Sequence, residues 1–198
     1  VLPSKPLLRV DVAHCLSVRR ERLSRGDRCL LDTSVIVFVV FEEQQATSWN
    51  QERAAAYEEF IERGRKDGVE FLWSPLSFSE LTNFVERYYL KRYQRAVDQS
   101  IDRKRFRAIP EQRKLVIDNV KEAWQYVKRL ALPTEFQVDA ATADAVLALL
   151  TATSLDGYDA LLIRSMRGAN VPYILSDDAD YASAPNVIVY SANEDICE

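Results

Sequence analysis

Histidine is almost absent: His14 is the only one in 198 residues. A zinc hydrolase built on several imidazole ligands is thereby excluded. A His-dependent nucleophilic triad would have to use this one side chain, which has no Ser or Cys nucleophile motif beside it. Glycine is equally scarce. Five scattered Gly residues leave no Gly-rich phosphate loop, which argues against a Rossmann or P-loop site. The three cysteines, Cys15, Cys29 and Cys197, form no CxxC pair and are odd in number, so neither a disulfide framework nor a zinc ribbon is expected. No apolar run reaches about 18 residues. The nearest, Leu30–Phe41, is interrupted by Asp32, so no membrane span is predicted. The segment 1–28 has neither the apolar core nor the small-residue cleavage site of a signal peptide, and a reducing, cytoplasmic setting follows as the expectation. With these classes removed, any chemistry falls to carboxylates.

What is present is a chain of 47% hydrophobic and 28% charged residues, long enough for one domain with a substantial core. Its net charge of −4 hides a strong asymmetry. Residues 1–28 carry 7 basic and 3 acidic side chains, 29–86 carry 4 and 11, 87–129 carry 13 and 5, and 130–198 carry 2 and 11. Half of all Lys and Arg thus lie in one segment between two acidic blocks. A basic surface for a polyanion beside a carboxylate-rich site for divalent cations would give this pattern, as would a solvated helical hairpin rich in Arg.

Periodicity predicts alternating strands and helices. Leu7–Val12 reads as a short strand, and Cys29–Asp32 as a buried one followed by an apolar run to Phe41. Asn50 to Arg65 reads as a helix, with Ala54, Tyr57, Phe60 and Ile61 on one face. Val69–Trp73 is a second buried strand. Ser77 with Glu80 three residues later matches a capping box that opens a helix running to about Gln99. Pro110 opens another helix to Leu130, Asp139 and Asp156 are candidate caps for two more, and Val171–Leu175 and Val187–Tyr190 are strands. Strands alternating with helices imply a parallel α/β sheet.

In such sheets ligands bind at the carboxyl ends of the strands. Asp32 ends one strand, Glu80 follows the next, Asp159 lies in a first helical turn beside Asp156, and Asp177, Asp178 and Asp180 follow the strand Val171–Leu175. Taken singly, Glu80 reads as part of its capping box, Asp159 as a helix N-terminal acid and Asp178 as a turn residue. Together they form a carboxylate group of the kind a hard cation, Mg²⁺ or Mn²⁺, neutralises. Other carboxylate enzymes fit less well. A haloacid-dehalogenase phosphatase requires a second Asp where Ser34 stands, and a response-regulator receiver requires a Lys near the last strand, whereas Lys128 is the final lysine.

Four short motifs then point to one family. Leu30-Leu31-Asp32-Thr33-Ser34-Val35-Ile36 resembles the opening strand of PIN-domain nucleases, and Ser79-Glu80-Leu81 their second acid. Tyr158-Asp159-Ala160-Leu161-Leu162-Ile163 resembles their third motif. Ser176-Asp177-Asp178-Ala179-Asp180-Tyr181 resembles the last, usually Thr-Asn-Asp-x-Asp-Phe, with Ser176 and Asp177 as departures. The resemblance, closest in kind to the VapC-toxin-like PIN fold, covers about residues 29–190. It implies a three-layer α/β sandwich with a central, mostly parallel sheet flanked by helices. Residues 1–28 are then an N-terminal extension and 29–198 the PIN-like domain, with a long basic helical insertion at about 81–131.

The resemblance implies Mg²⁺- or Mn²⁺-dependent hydrolysis of phosphodiester bonds, with RNA as the favoured substrate and DNA left open. Asp32, Glu80, Asp159 and Asp178 carry over as the catalytic, metal-binding acids, with Asp180 as a fifth acid and Ser34 and Ser176 as supporting hydroxyls. Arg87, Lys91, Arg92 and Arg95, at helical spacing, and the cluster Arg103, Lys104, Arg105 and Arg107 are the candidate phosphate contacts. Tyr88, Tyr89, Tyr93 and Phe106 are candidates for base stacking, although aromatics on a long amphipathic helix, here Tyr88, Tyr89 and Trp124, more often belong to a core or dimer interface. An antitoxin or other protein partner and a homo-oligomer, most simply a dimer, complete the expectation. The alternative is a PIN-like module that binds protein or RNA with little or no catalysis.

Overall fold

The computed structural model describes residues 14–41, 47–135 and 139–197. The strand read at Leu7–Val12 lies outside them. Six strands, β1 (His14–Ser17), β2 (Arg28–Leu31), β3 (Glu70–Trp73), β4 (Leu132–Pro133), β5 (Tyr173–Leu175) and β6 (Ile188–Ser191), form one sheet in the order β1-β6-β5-β2-β3-β4. Every neighbouring pair is parallel. The segment expected to be an extension therefore contributes an edge strand, with Cys15 opposite Val189.

Alternation along the strands divides the core in two. Cys29, Leu31, Phe71, Leu175 and Tyr190 pack on one face beneath α1 (Thr33–Val40), α2 (Ser48–Asp67), α3 (Pro75–Val97) and α5 (Pro110–Leu130). Leu30, Leu72, Ile174 and Val189 face α7 (Gly157–Gly168), a 3₁₀ turn (Ala179–Ser183) and Leu149 of α6 (Ala140–Ala152). Successive side chains on a strand point to opposite faces, so these near-continuous apolar strands are buried on both sides. The result is the three-layer α/β sandwich that the resemblance implies. No single described helix is long and apolar enough to cross a membrane.

The apolar run after Asp32 forms the helix α1, whose Val35 to Val39 are all buried. One local reading changes. The helix after β3 begins at Pro75, capped by the Ser74 hydroxyl on the Leu76 amide at 3.3 Å. A proline at the first helical position loses no hydrogen bond and fixes the start three residues earlier than the Ser77 box would. Ser77 is instead buried with its hydroxyl unpartnered, and Glu80 projects from the second turn. The basic insertion is α3 packed on α5, bridged by a short helix α4 (Arg103–Arg107) whose Phe106 is 1% exposed against Tyr93.

Gly64 marks a close approach of α2 to β3. A Cβ there would lie 2.8 Å from the Phe71 ring, and Phe71 is itself packed on Phe60. Gly64→Ala is expected to destabilise the fold by about 1–3 kcal/mol through overpacking, despite the better helix propensity of alanine. Urea titration of the two proteins measures this, and an alanine variant of equal or greater stability would refute it.

Candidate active site

The strand order reverses between β2 and β5: the chain runs from β2 to β3 on one side, while β5 and β6 lie on the other. In open parallel sheets that point leaves a crevice at the strands' carboxyl ends. Asp32 follows β2 there, and Ser176 follows β5. Helices α3 and α7 bring Glu80 and Asp159 to the same edge. Asp32, Thr33, Ser34, Glu80, Arg87, Asp156, Asp159 and Asp178 all line an open cleft of about 320 Å³, with Val37, Phe38 and Phe84 as its apolar wall. Asp180 does not line it. It is exposed on the 3₁₀ turn, where its amide bonds Asp178 Oδ1 at 2.9 Å.

Each acid is held by its own neighbours. Asp32, 4% exposed, caps α1: its Oδ2 accepts from the Ser34 hydroxyl at 2.5 Å and the Ser176 hydroxyl at 2.8 Å. Ser34 and Ser176 thus both lie against the Asp32 carboxyl. Ser34 also accepts the Asp177 amide at 3.0 Å, and Ser176 the Asp178 amide at 3.0 Å, which fixes the last motif against the first. Glu80 accepts the Thr33 hydroxyl at 2.5 Å. Asp159 closes a capping box with Asp156 at the start of α7. Its Oδ1 accepts the Tyr181 hydroxyl at 2.8 Å, and the same hydroxyl lies 3.4 Å from Asp32 Oδ1.

Thr33 and Tyr181 were not singled out from the sequence. The signal was available for Tyr181: a hydroxyl-bearing ring stands where the motif usually has Phe.

Burial and mutual repulsion push these carboxyls up. Glu80 rises to about 7, first through burial and then through the charges of Asp32 and Asp156, against the Thr33 bond and Arg87. Asp159 also rises to about 7, through burial first and the charges of Asp32, Asp156 and Asp178, against the bond from Tyr181. Asp32 is raised by burial despite its two serine bonds. Carboxylate oxygens of this kind are the donor type that Mg²⁺ or Mn²⁺ takes. Among the described residues, though, no three acidic, His or Cys side chains are already drawn into ligating geometry.

A pH dependence follows. The folded protein keeps protons on Glu80 and Asp159 that the unfolded chain releases near 4, so stability falls as pH rises from about 4 to about 7 and levels off above. With solvent screening of these partly exposed groups allowed for, the loss between pH 5.5 and 7.5 is expected to be about 1–2 kcal/mol. Thermal melts in EDTA at the two values check it; a higher melting temperature at pH 7.5 would contradict it.

The basic residues divide. Arg87 lines the cleft, and Lys91, Arg92 and Arg95 continue exposed along α3. The α4 cluster is partly committed elsewhere. Glu86 of α3, 3% exposed, accepts a bidentate pair from Arg107 at 2.5 and 2.7 Å, with Arg103 and Arg113 each at 3.9 Å. The Arg107 bonds hold the Glu86 carboxyl below its usual range. Lys104 and Arg105 remain exposed. The stacking expectation fails for Tyr89 and Phe106, which are core residues, while Tyr88 and Tyr93 are half-buried against the same core.

Asp177, the departure from the motif, points away from the cleft. It accepts Arg53 Nη1 at 2.5 Å and the Tyr57 hydroxyl at 2.6 Å, while Arg53 also donates to Asn193 at 2.9 Å and stacks under Trp49 at 3.5 Å from the ring centroid.

No protein-family model matches the chain, and no curated protein matches it in sequence. Among solved structures, the chain is similar to one in the crystal structure of VapBC2 from Rickettsia felis bound to a DNA fragment from their promoter. That match has a TM-score of 0.49 and 13% identity, over 83% of this chain and 98% of that one.

Proposed function

We propose that this chain is a metal-dependent PIN-type nuclease that hydrolyses phosphodiester bonds, with RNA the favoured substrate. The observation that carries the reading is the convergence of Asp32, Glu80, Asp159 and Asp178, from four separate elements, on one cleft at the sheet's switch point. The sequence motifs supply the family.

Asp32, Glu80, Asp159 and Asp178 would hold one or two Mg²⁺ or Mn²⁺ ions. Such an ion lowers the pKa of a bound water and stabilises charge on the leaving oxygen. The residues of the chain do the rest. Ser34 and Ser176 fix the Asp32 carboxylate, and Thr33 and Tyr181 orient Glu80 and Asp159. Arg87 meets a phosphate in the cleft, and Lys91, Arg92 and Arg95 continue the contact along α3. Lys104 and Arg105 extend it. A carboxylate of the cluster takes the proton of the attacking water; products would carry a 5′-phosphate and a 3′-hydroxyl. An antitoxin-like partner and a dimer belong to the same proposal.

The test is cleavage of labelled single-stranded RNA and DNA with Mg²⁺, Mn²⁺ or EDTA, for the wild type and for Asp32→Asn/Asp159→Asn. Metal-dependent cutting that the double variant loses would support the enzyme. Equal cutting by both would place the activity elsewhere, and no cutting of a broad RNA pool by the wild type would favour the binding module.

A further inference from the structure

We propose that Cys15 and Cys197 are a redox modification site: the pair forms a reversible intramolecular disulfide by exchange with a small disulfide of the oxidised-glutathione class. The two residues are 182 positions apart, yet their Sγ atoms stand 2.6 Å from one another as free thiols. Closing to a disulfide bond of about 2.05 Å needs a movement of roughly half an ångström.

The contact is built by the fold. Cys15 lies in β1, opposite Val189 of β6. The chain leaving β6 turns back where the Ile196 amide donates to the Asn193 carbonyl at 3.3 Å, and returns Cys197 to β1. Arg19 holds this return from the β1 side, donating to the Ala192 carbonyl at 3.0 Å and lying 3.8 Å from Glu194. Cys197 Sγ also faces the Ser191 carbonyl at 3.9 Å. Both residues are only partly buried, whereas Cys29 is fully buried in β2. The odd cysteine count therefore resolves into one partly buried pair and one enclosed thiol.

The exchange balances. Either thiol can act first; on the route that begins at Cys197, Cys197 loses its proton to solvent. Its thiolate attacks one sulfur of the oxidant, the oxidant's S–S bond breaks, and one thiolate leaves. Cys15 then loses its proton and attacks Cys197 Sγ in the mixed disulfide, releasing the second thiolate. Two protein thiols are oxidised, one small disulfide is reduced to two thiols, and the two protons pass to the leaving thiolates. Burial raises both cysteines above their ordinary range, so the reaction is slow at neutral pH and favoured by alkaline buffer.

The test incubates the folded protein with oxidised glutathione at pH 8.5, blocks remaining thiols, and maps tryptic peptides without reductant. Arg167 is the last basic residue, so Cys197 lies in the peptide that begins at Gly168, and Cys15 lies in Val10–Arg19. The expected result is these two peptides joined, Cys29 blocked only after denaturation, and a melting temperature raised by several degrees that reductant restores. The gain follows from closing a very long loop in the unfolded chain. Cys15→Ser and Cys197→Ser should show no gain. Persistent glutathione adducts without a cross-link, a bond to Cys29, or a bond only between molecules would overturn the proposal.

Discussion

Asp32→Asn is expected to reduce metal-dependent cleavage by on the order of 10³-fold or more while leaving the fold intact. The asparagine oxygen can keep the two serine hydroxyls that now hold Asp32 Oδ2, so α1 keeps its cap and the first and last motifs stay joined. What disappears is the negative charge at the centre of the cluster. Burial raises the Asp32 carboxyl, and the same charge raises its neighbours Glu80 and Asp159. Removing it relieves repulsion, so in EDTA at pH 7.5 the variant should melt no lower than the wild type. A loss of activity with a large loss of stability would make Asp32 a structural acid. Retained activity would remove it from the reaction.

Arg53→Ala is the second large effect, and it falls on stability. The Arg53 and Asp177 side chains are 6% and 12% exposed, so neither charge keeps much water. Burial pushes the Asp177 carboxyl up even with Arg53 and Tyr57 bound to it. Such a pair adds little net stability when intact, but removing one partner strands the other charge, at about 3–5 kcal/mol. For a chain of this size the melting temperature should drop by roughly 6–20 °C. Arg53→Met/Asp177→Asn should recover most of it, because Met restores volume and Asn, the residue usual in the motif, still bonds Tyr57. If the double variant is as unstable as the single one, packing around Trp49 matters and the stranded charge does not.

The contrast between these acids shows what a linear sequence carries. Asp32, Glu80, Asp159 and Asp178 were legible because each follows a recognisable strand or opens a helix, and the parallel topology alone brings those positions to one edge. Most elements were legible by the same means, from apolar period and from caps such as Asp139 and Asp156. What was hidden depends on partners remote in sequence. Nothing near Glu86 announces that three arginines of a later segment converge on it. Asp177 and Asp178 are adjacent, yet one faces Arg53 and the other the cleft. The Ser77 box failed for a local reason, since Ser74-Pro75 offered a better start to the same helix.

The short strand β4 has a consequence for self-association. At that edge the sheet ends in two residues, one of them Pro133, which has no amide hydrogen to offer a further strand. An additional chain adding to this side would meet a broken row of donors. Sheet extension from one copy to the next, the route by which open parallel edges seed aggregates, is blunted at the β4 edge.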